Sequence, residues 1–302
     1  MVEKTQSATH PKYRILAIII LIFTTVLWGS TFIITKNIIK ELPPFFYLGI
    51  RFFLALLIFL PFLYRVKKFN KKVLLAGILA GSIYYFSIAI QTIGLETTTA
   101  GKGGFITGLN TVIVPFIAWL IFKKPIHKRI WIAVVLSIIG LALLLLEGES
   151  GIIVGDIFIL FCAFGFAFYI IYVDRDVNKV DLYLYLIIQL FIITVLSFIT
   201  SIVFGERYDL ASMNSSFWII FIYMGMVASG LTFLFQNWGQ KIVGPAQTAL
   251  IFTLEPVFAV LFASLLLGHE ALSFQGIIGC GIIFIAILFT VTKVEEKPEF
   301  VK

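Results

Sequence analysis

The chain has 302 residues, 60% of them hydrophobic and 13% charged, and a formal net charge of +7. A soluble domain carries about 25% charged and about 45–50% apolar residues, so a mean hydropathy of +1.06 excludes that class and makes lipid the solvent. The positive balance is then an orientation signal and a contact with anionic lipid, not a nucleic-acid surface.

Residues 1–14 form a polar, basic tail. The apolar run that follows is too long for a signal-peptide core and lacks a small-residue cleavage pattern, so it reads as the first span. A helix needs roughly 20 apolar residues to cross the hydrocarbon. Ten segments come close: about 15–37, 45–64, 73–95, 99–122, 130–146, 155–175, 181–204, 217–239, 246–267 and 274–292. The loops between them are short, which predicts one compact bundle without an extramembrane domain. The fold class expected is an all-α integral membrane protein of ten transmembrane helices. Cys162 and Cys280 both fall inside spans and read as small packing residues.

Lys and Arg accumulate in cytoplasmic loops. With the N-terminus inside, eighteen of the 23 fall on the cytoplasmic side, and Lys36, Lys40, Arg51, Lys102 and Arg207 toward the outside. Both termini are therefore expected in the cytoplasm.

The two halves align. "QTIGLETTTAGKGGFITGLNTVIVPFIAWLIF" (91–122) lies on "QNWGQKIVGPAQTALIFTLEPVFAVLFASLLL" (236–267) without a gap, which sets Gln91 on Gln236 and Leu109 on Leu254. Upstream, "WGSTF" (28–32) pairs with "FGFAF" (164–168), and "YLGIRF" (47–52) with "YLIIQL" (185–190). Five spans per copy is an odd number, so the second copy enters the membrane upside down. Inverted repeats recur in secondary transporters, with the substrate site near the midplane at their interface.

"WGSTF" in span 1, "RFFLALLIFLP" (51–61) in span 2 and "LEPVFAVLFASLLLGHEALSFQGIIGCGIIF" (254–284) together resemble the EamA branch of the drug/metabolite transporter superfamily. The resemblance covers essentially the whole chain. It implies two five-helix repeats, at 15–148 and 149–292, between the tails 1–14 and 293–302. It also implies a plasma-membrane carrier, often an exporter, for amino acids or other small metabolites. The "GHE" that ends span 9, against "FKKPI" at the end of span 4, is a departure confined to helix ends.

Ionisable groups inside a span are costly and mark function. Glu255 lies near the middle of span 9 and Arg51 one and a half turns into span 2; the matching positions of the other repeat hold Asn110 and Gln189. Helical spacing gathers Tyr84, Ser87 and Gln91 on one face of span 3, and Ser229, Thr232 and Gln236 on one face of span 8. Thr107, Asn110, Thr111 and Val114 form a stripe on span 4, and Thr248, Phe252 and Glu255 one on span 9. Glu255, Arg51, Asn110, Gln91, Gln236, Tyr84 and Trp28 are the candidate binding or coupling residues. Tyr85, Tyr169 and Trp238 are further aromatics able to stack on a substrate.

Two plainer readings compete: interhelical hydrogen bonding of about 0.6 kcal/mol per group, and an ion pair between Glu255 and Arg51. Lys36 is expected to snorkel to the interface, and Arg51 has that option too. Pro256 removes the helical partner of the Phe252 carbonyl, which is tolerated at depth where protein or water satisfies it. A kink is expected there and, at a non-matching place, at Pro115. "GILAG" (77–81) and "GFITG" (104–108) are small-residue faces for close helix packing.

An enzyme is not expected. His10, His127 and His269 lie in tails or loop ends, and zinc-protease, nucleophile-elbow and nucleotide-loop patterns are absent from the sequence. No cofactor or metal is expected. The function expected is secondary active transport of a small polar metabolite, with an amino acid or amine favoured, by alternating access. Glu255 would bind a substrate ammonium or exchange a proton, and Arg51 would meet a carboxylate. A channel or a lipid-handling protein is the alternative, and the sequence sets no oligomeric state.

Overall fold

A computed structural model describes residues 11–65, 70–120, 123, 126–145, 151–208, 215–267 and 274–291. The tails 1–10 and 292–302, with His10, and the segment holding His269 lie outside those residues. Every regular element described is helical: α1 (Pro11–Ile38), α2 (Pro44–Phe59), α3 (Lys71–Thr97), α4 (Ala100–Gly108), α5 (Asn110–Leu120), α6 (Lys128–Leu145) and α7 (Val154–Asp176). They continue with α8 (Leu182–Val203), α9 (Ser215–Ile222), a π-helix (Tyr223–Leu231), α10 (Thr232–Val243), α11 (Pro245–Phe252), α12 (Leu254–Leu267) and α13 (Phe274–Val291).

Among the described residues, eight stretches are long and apolar enough to cross a membrane, including Ala100–Leu120, Ser216–Val243 and Pro245–Phe262. The two other expected spans are α6 and the shorter apolar helix α13, which pack along each other. Close approach there needs glycine: a Cβ on Gly140 would lie 2.8 Å from the carbonyl oxygen of Gly279. Lipid explains the apolar exterior, where Phe23, Phe86, Phe161, Ile202 and Ile285 are exposed.

Contacts between the halves come in matched sets. α3 packs on α7 as α10 packs on α1, and α4 and α5 pack on α7 as α11 and α12 pack on α1. Likewise α3 packs on α8 as the π-helix packs on α2, while α2 meets α8 and α6 meets α13.

The spans expected at 99–122 and 246–267 are each broken. Leu109 N–H donates to the Ile106 carbonyl at 3.1 Å and Thr253 N–H to the Leu250 carbonyl at 3.2 Å. Each bond is a tightened three-residue step between two helices. The second break immediately precedes the Pro256 turn, as the missing N–H requires. In the first half the break falls at Leu109, and Pro115 lies inside α5, which runs on through it. The broken rods cross, α4 against α12 and α5 against α11. Thr111 ties the crossing by donating to the Ala249 carbonyl at 3.2 Å. Pro256 sits against α4, where Cβ atoms on Gly104 and Gly108 would lie 3.5 and 3.8 Å from its ring carbons. The other glycine face, Gly77 and Gly81, is closed by Ile188 and the Gln189 backbone of α8.

Candidate functional site

The helix breaks, α1–α3, α7 and α10 surround one cavity. Its lining includes all seven candidate residues: Trp28, Arg51, Tyr84, Gln91, Asn110, Gln236 and Glu255. They come from six helices and both halves of the chain.

The cation is held by a feature the sequence did not reveal. Arg51, on α2, is 3% exposed and so does not snorkel. Its Nε donates to Ser229 Oγ at 2.7 Å and its Nη1 to the Tyr47 hydroxyl at 3.4 Å. Ser229 stands on the π-helix, a form frequent at functional sites. Gly225 and Gly230 let that wide helix press on α2: a Cβ on Gly225 would lie 2.8 Å from the Arg51 carbonyl oxygen. Trp28 is fixed the same way, its Nε1 donating to the Ala228 carbonyl at 3.1 Å and to Thr232 Oγ1 at 3.0 Å. Its ring meets Phe252 edge-on at 4.9 Å.

Glu255 follows the second break in the first turn of α12 and is partly open to the cavity. No ion pair within 4.0 Å joins it to Arg51 among the described residues, so the expected structural pair is not what holds either side chain. Gln91 donates to Thr107 Oγ1 at 3.1 Å. Asn110 Oδ1 and Gln236 Oε1 are buried acceptors without a partner, the state of groups that await a donor. Tyr84, Phe166 and Tyr169 form one wall, with Tyr84 5.0 Å from Tyr169 and 5.3 Å from Phe166 between ring centres. The site therefore offers a fixed cation, a carboxylate and two amide acceptors inside an aromatic enclosure.

Other stripe residues serve the packing. Ser87 donates to the Ile83 carbonyl at 2.7 Å and closes against Gly165, and Thr248 donates to the Gly244 carbonyl at 2.7 Å. Tyr85 donates to Thr200, and Trp238 lies outside the lining. Thr31 and Ile170 line the cavity without having been singled out.

The Lys36 ammonium donates to the carbonyls of Leu95 (3.0 Å) and Thr98 at the last turn of α3, where a cation meets the negative end of the helix. Beside it the buried Lys102 lies 2.6 Å from Asp156, which also accepts from Thr98 and from the Ile153 N–H. Glu206, beyond α8, accepts from the Phe45 and Phe46 N–H groups at the start of α2. All three ties lie at the end of the bundle where α3 passes into α4. At the opposite end Arg14 donates to Gln247 at 3.0 Å.

The fold and site define a multi-pass helical membrane protein with a polar centre. Residues 15–146 and 153–292 each match the EamA-like transporter family, and the chain belongs to it. It is 31% identical over 291 residues to an uncharacterized transporter of Archaeoglobus fulgidus, covering 96% of this chain and 91% of that one. It is also 26% identical to the uncharacterized transporter YyaM of Bacillus subtilis, over 93% and 95% of the two chains. A protein of known crystal structure shares the fold at 20% identity, with a TM-score of 0.74 over 91% of this chain and 96% of that one. The protein is a membrane transporter and not an enzyme.

Proposed function

We propose that this transporter is a secondary carrier that moves a small polar metabolite across the plasma membrane by alternating access. An amino acid or related amine is the favoured cargo and export the favoured direction. The observation that carries this reading is the meeting of Arg51 and Glu255 in one cavity, unpaired with each other, beside the open acceptors Asn110 and Gln236. A zwitterion fits that set: its carboxylate meets Arg51 and its ammonium meets Glu255 and the amides. Glu255 is also the group to exchange a proton with the cargo.

Two inverted five-helix repeats with both termini in the cytoplasm complete the reading. The twofold family match and the matched contact sets support the repeats, and the Lys and Arg bias of the loops supports the orientation. On that orientation the ties of Lys36, Lys102 and Glu206 lie at the outer end. A lipid-handling protein is disfavoured by the charged and amide groups that line the centre.

Thermal unfolding of the purified protein against amino acids, amines, nucleosides, sugars and phosphorylated metabolites tests the reading. A ligand at one hundred times its Kd adds about 2.7 kcal/mol by mass action. Stabilisation by an amino acid or amine that is lost in Glu255→Gln supports it. Stabilisation that survives both Glu255→Gln and Arg51→Gln moves the site elsewhere, and none in any class removes the soluble-metabolite carrier.

A further inference from the structure

A second set of buried polar groups collects where α7, α8 and α10 converge. Tyr169 belongs to the cavity wall, yet its hydroxyl points into this seam and donates to Gln189 Oε1 of α8 at 2.9 Å. Asn237 of α10 donates to the same hydroxyl at 3.4 Å and to the Phe233 carbonyl at 2.8 Å. One turn along α10, Gln240 donates to the Ile170 carbonyl. One turn back along α8 stands Tyr185, wholly buried.

Four of these side chains keep an atom without a partner: Gln189 Nε2, Asn237 Oδ1, Gln240 Oε1 and the Tyr185 hydroxyl. The bonds between the helices use one atom of each of the three amides and leave the other open. The open set is a donor, two acceptors and a hydroxyl able to act as either. That mixture does not select a cation or an anion. It suits water, which donates and accepts and makes about three hydrogen bonds when buried.

The seam also has direction. It starts at Tyr169 on the cavity wall and runs toward the last turn of α10 and the first turn of α8. It ends beside the charged last turn of α7, with Asp174, Arg175 and Asp176. In the repeat alignment Tyr185 and Gln189 fall on Tyr47 and Arg51. The second half thus carries a neutral counterpart of the cation's mooring, displaced from the cavity.

We infer that ordered water fills this seam and that the seam is the cavity's route to the end of the bundle where α7 turns into α8. What the route conducts rests on the carrier reading; that it is wet does not. Two measurements on the full chain in lipid vesicles test it. In a Cys162→Ala, Cys280→Ala background, Tyr185→Cys and Gln240→Cys are treated with a small hydrophilic thiol reagent, beside Ile193→Cys, an equally buried site on α8. Both seam positions are expected to react at least about tenfold faster than the control, since thiol reactivity follows access to water. In the unsubstituted chain, radiolytic hydroxyl labelling is expected to modify Tyr185 well above the equally buried Phe221.

Labelling of Tyr185 no faster than Phe221 shows a dry seam and overturns the inference, whatever the substituted chains do. Neither measurement needs a ligand. A dry seam therefore leaves the carrier reading standing, and ligand binding indifferent to Glu255→Gln leaves the seam standing.

Discussion

The ammonium of Lys102 lies 2.6 Å from Oδ2 of Asp156, and the pair joins α4 of the first half to α7 of the second. Both residues are buried, and Asp156 is further held by Thr98 and the Ile153 N–H. Removing one partner of a buried pair costs about 3–5 kcal/mol, because the other charge is left uncompensated. Asp156→Asn is expected to lower the thermal midpoint markedly, and Asp156→Asn with Lys102→Met to lower it less than the two single losses added. A double-mutant cycle of unfolding midpoints measures this coupling, and strict additivity would remove it.

The mooring of Arg51 by Ser229 predicts a loss of both stability and ligand binding. Arg51→Lys keeps the charge but gives up the planar Nε–H that reaches Ser229. A charge-assisted hydrogen bond contributes about 1.5–3 kcal/mol to stability, so the unfolding midpoint is expected to fall and ligand affinity to fall with it. Ser229→Ala should reproduce part of that loss in the same titration.

Among the described residues, Glu255 is the one carboxylate that lines the cavity. Glu255→Gln keeps its shape and removes its titration. Vesicles bearing the substituted chain are expected to exchange ligand at a rate independent of an imposed pH gradient, while the unsubstituted chain responds. A preserved response assigns proton exchange to another group.

Glycine positions separate close packing from spare room. A Cβ on Gly155 would collide with the Gly94 carbonyl oxygen and Thr97 Oγ1, whereas one on Gly104 meets Pro256 at an ordinary 3.5 Å. Gly155→Ala is therefore expected to lower stability by about 1–3 kcal/mol, the usual cost of overpacking. Gly104→Ala should stay within about 0.5 kcal/mol, the spread of innocuous changes. Thermal unfolding of the two variants side by side decides it.

Much of the site was legible because depth makes polar residues conspicuous. Glu255 and Arg51 stand out as charges inside apolar runs, and Gln91 and Gln236 as equivalent positions of a repeat. What was not legible depends on partners distant in the chain. The π-helix over Tyr223–Leu231 packs on α2, and without it neither the Ser229 contact nor the Trp28 anchorage follows from spacing. The break at Leu109 involves no proline and arises where Gly108 passes Pro256 and Leu141. Lys36 and Asp156 look like ordinary charges at span ends. Their roles appear only when the last turn of α3 is brought beside the start of α7.

An ion pair and two charged helix caps tie the bundle where α3 meets α4, and the Arg14–Gln247 bond lies at the opposite end. In a protein that exchanges two conformations, bonds present in only one of them bias its resting population, and a ligand is bound more weakly by the fraction of molecules not resting in the competent form. On the proposed carrier reading, contacts at one end that open in the other conformation would give the two compartments different apparent affinities, while the gradients decide which way cargo flows.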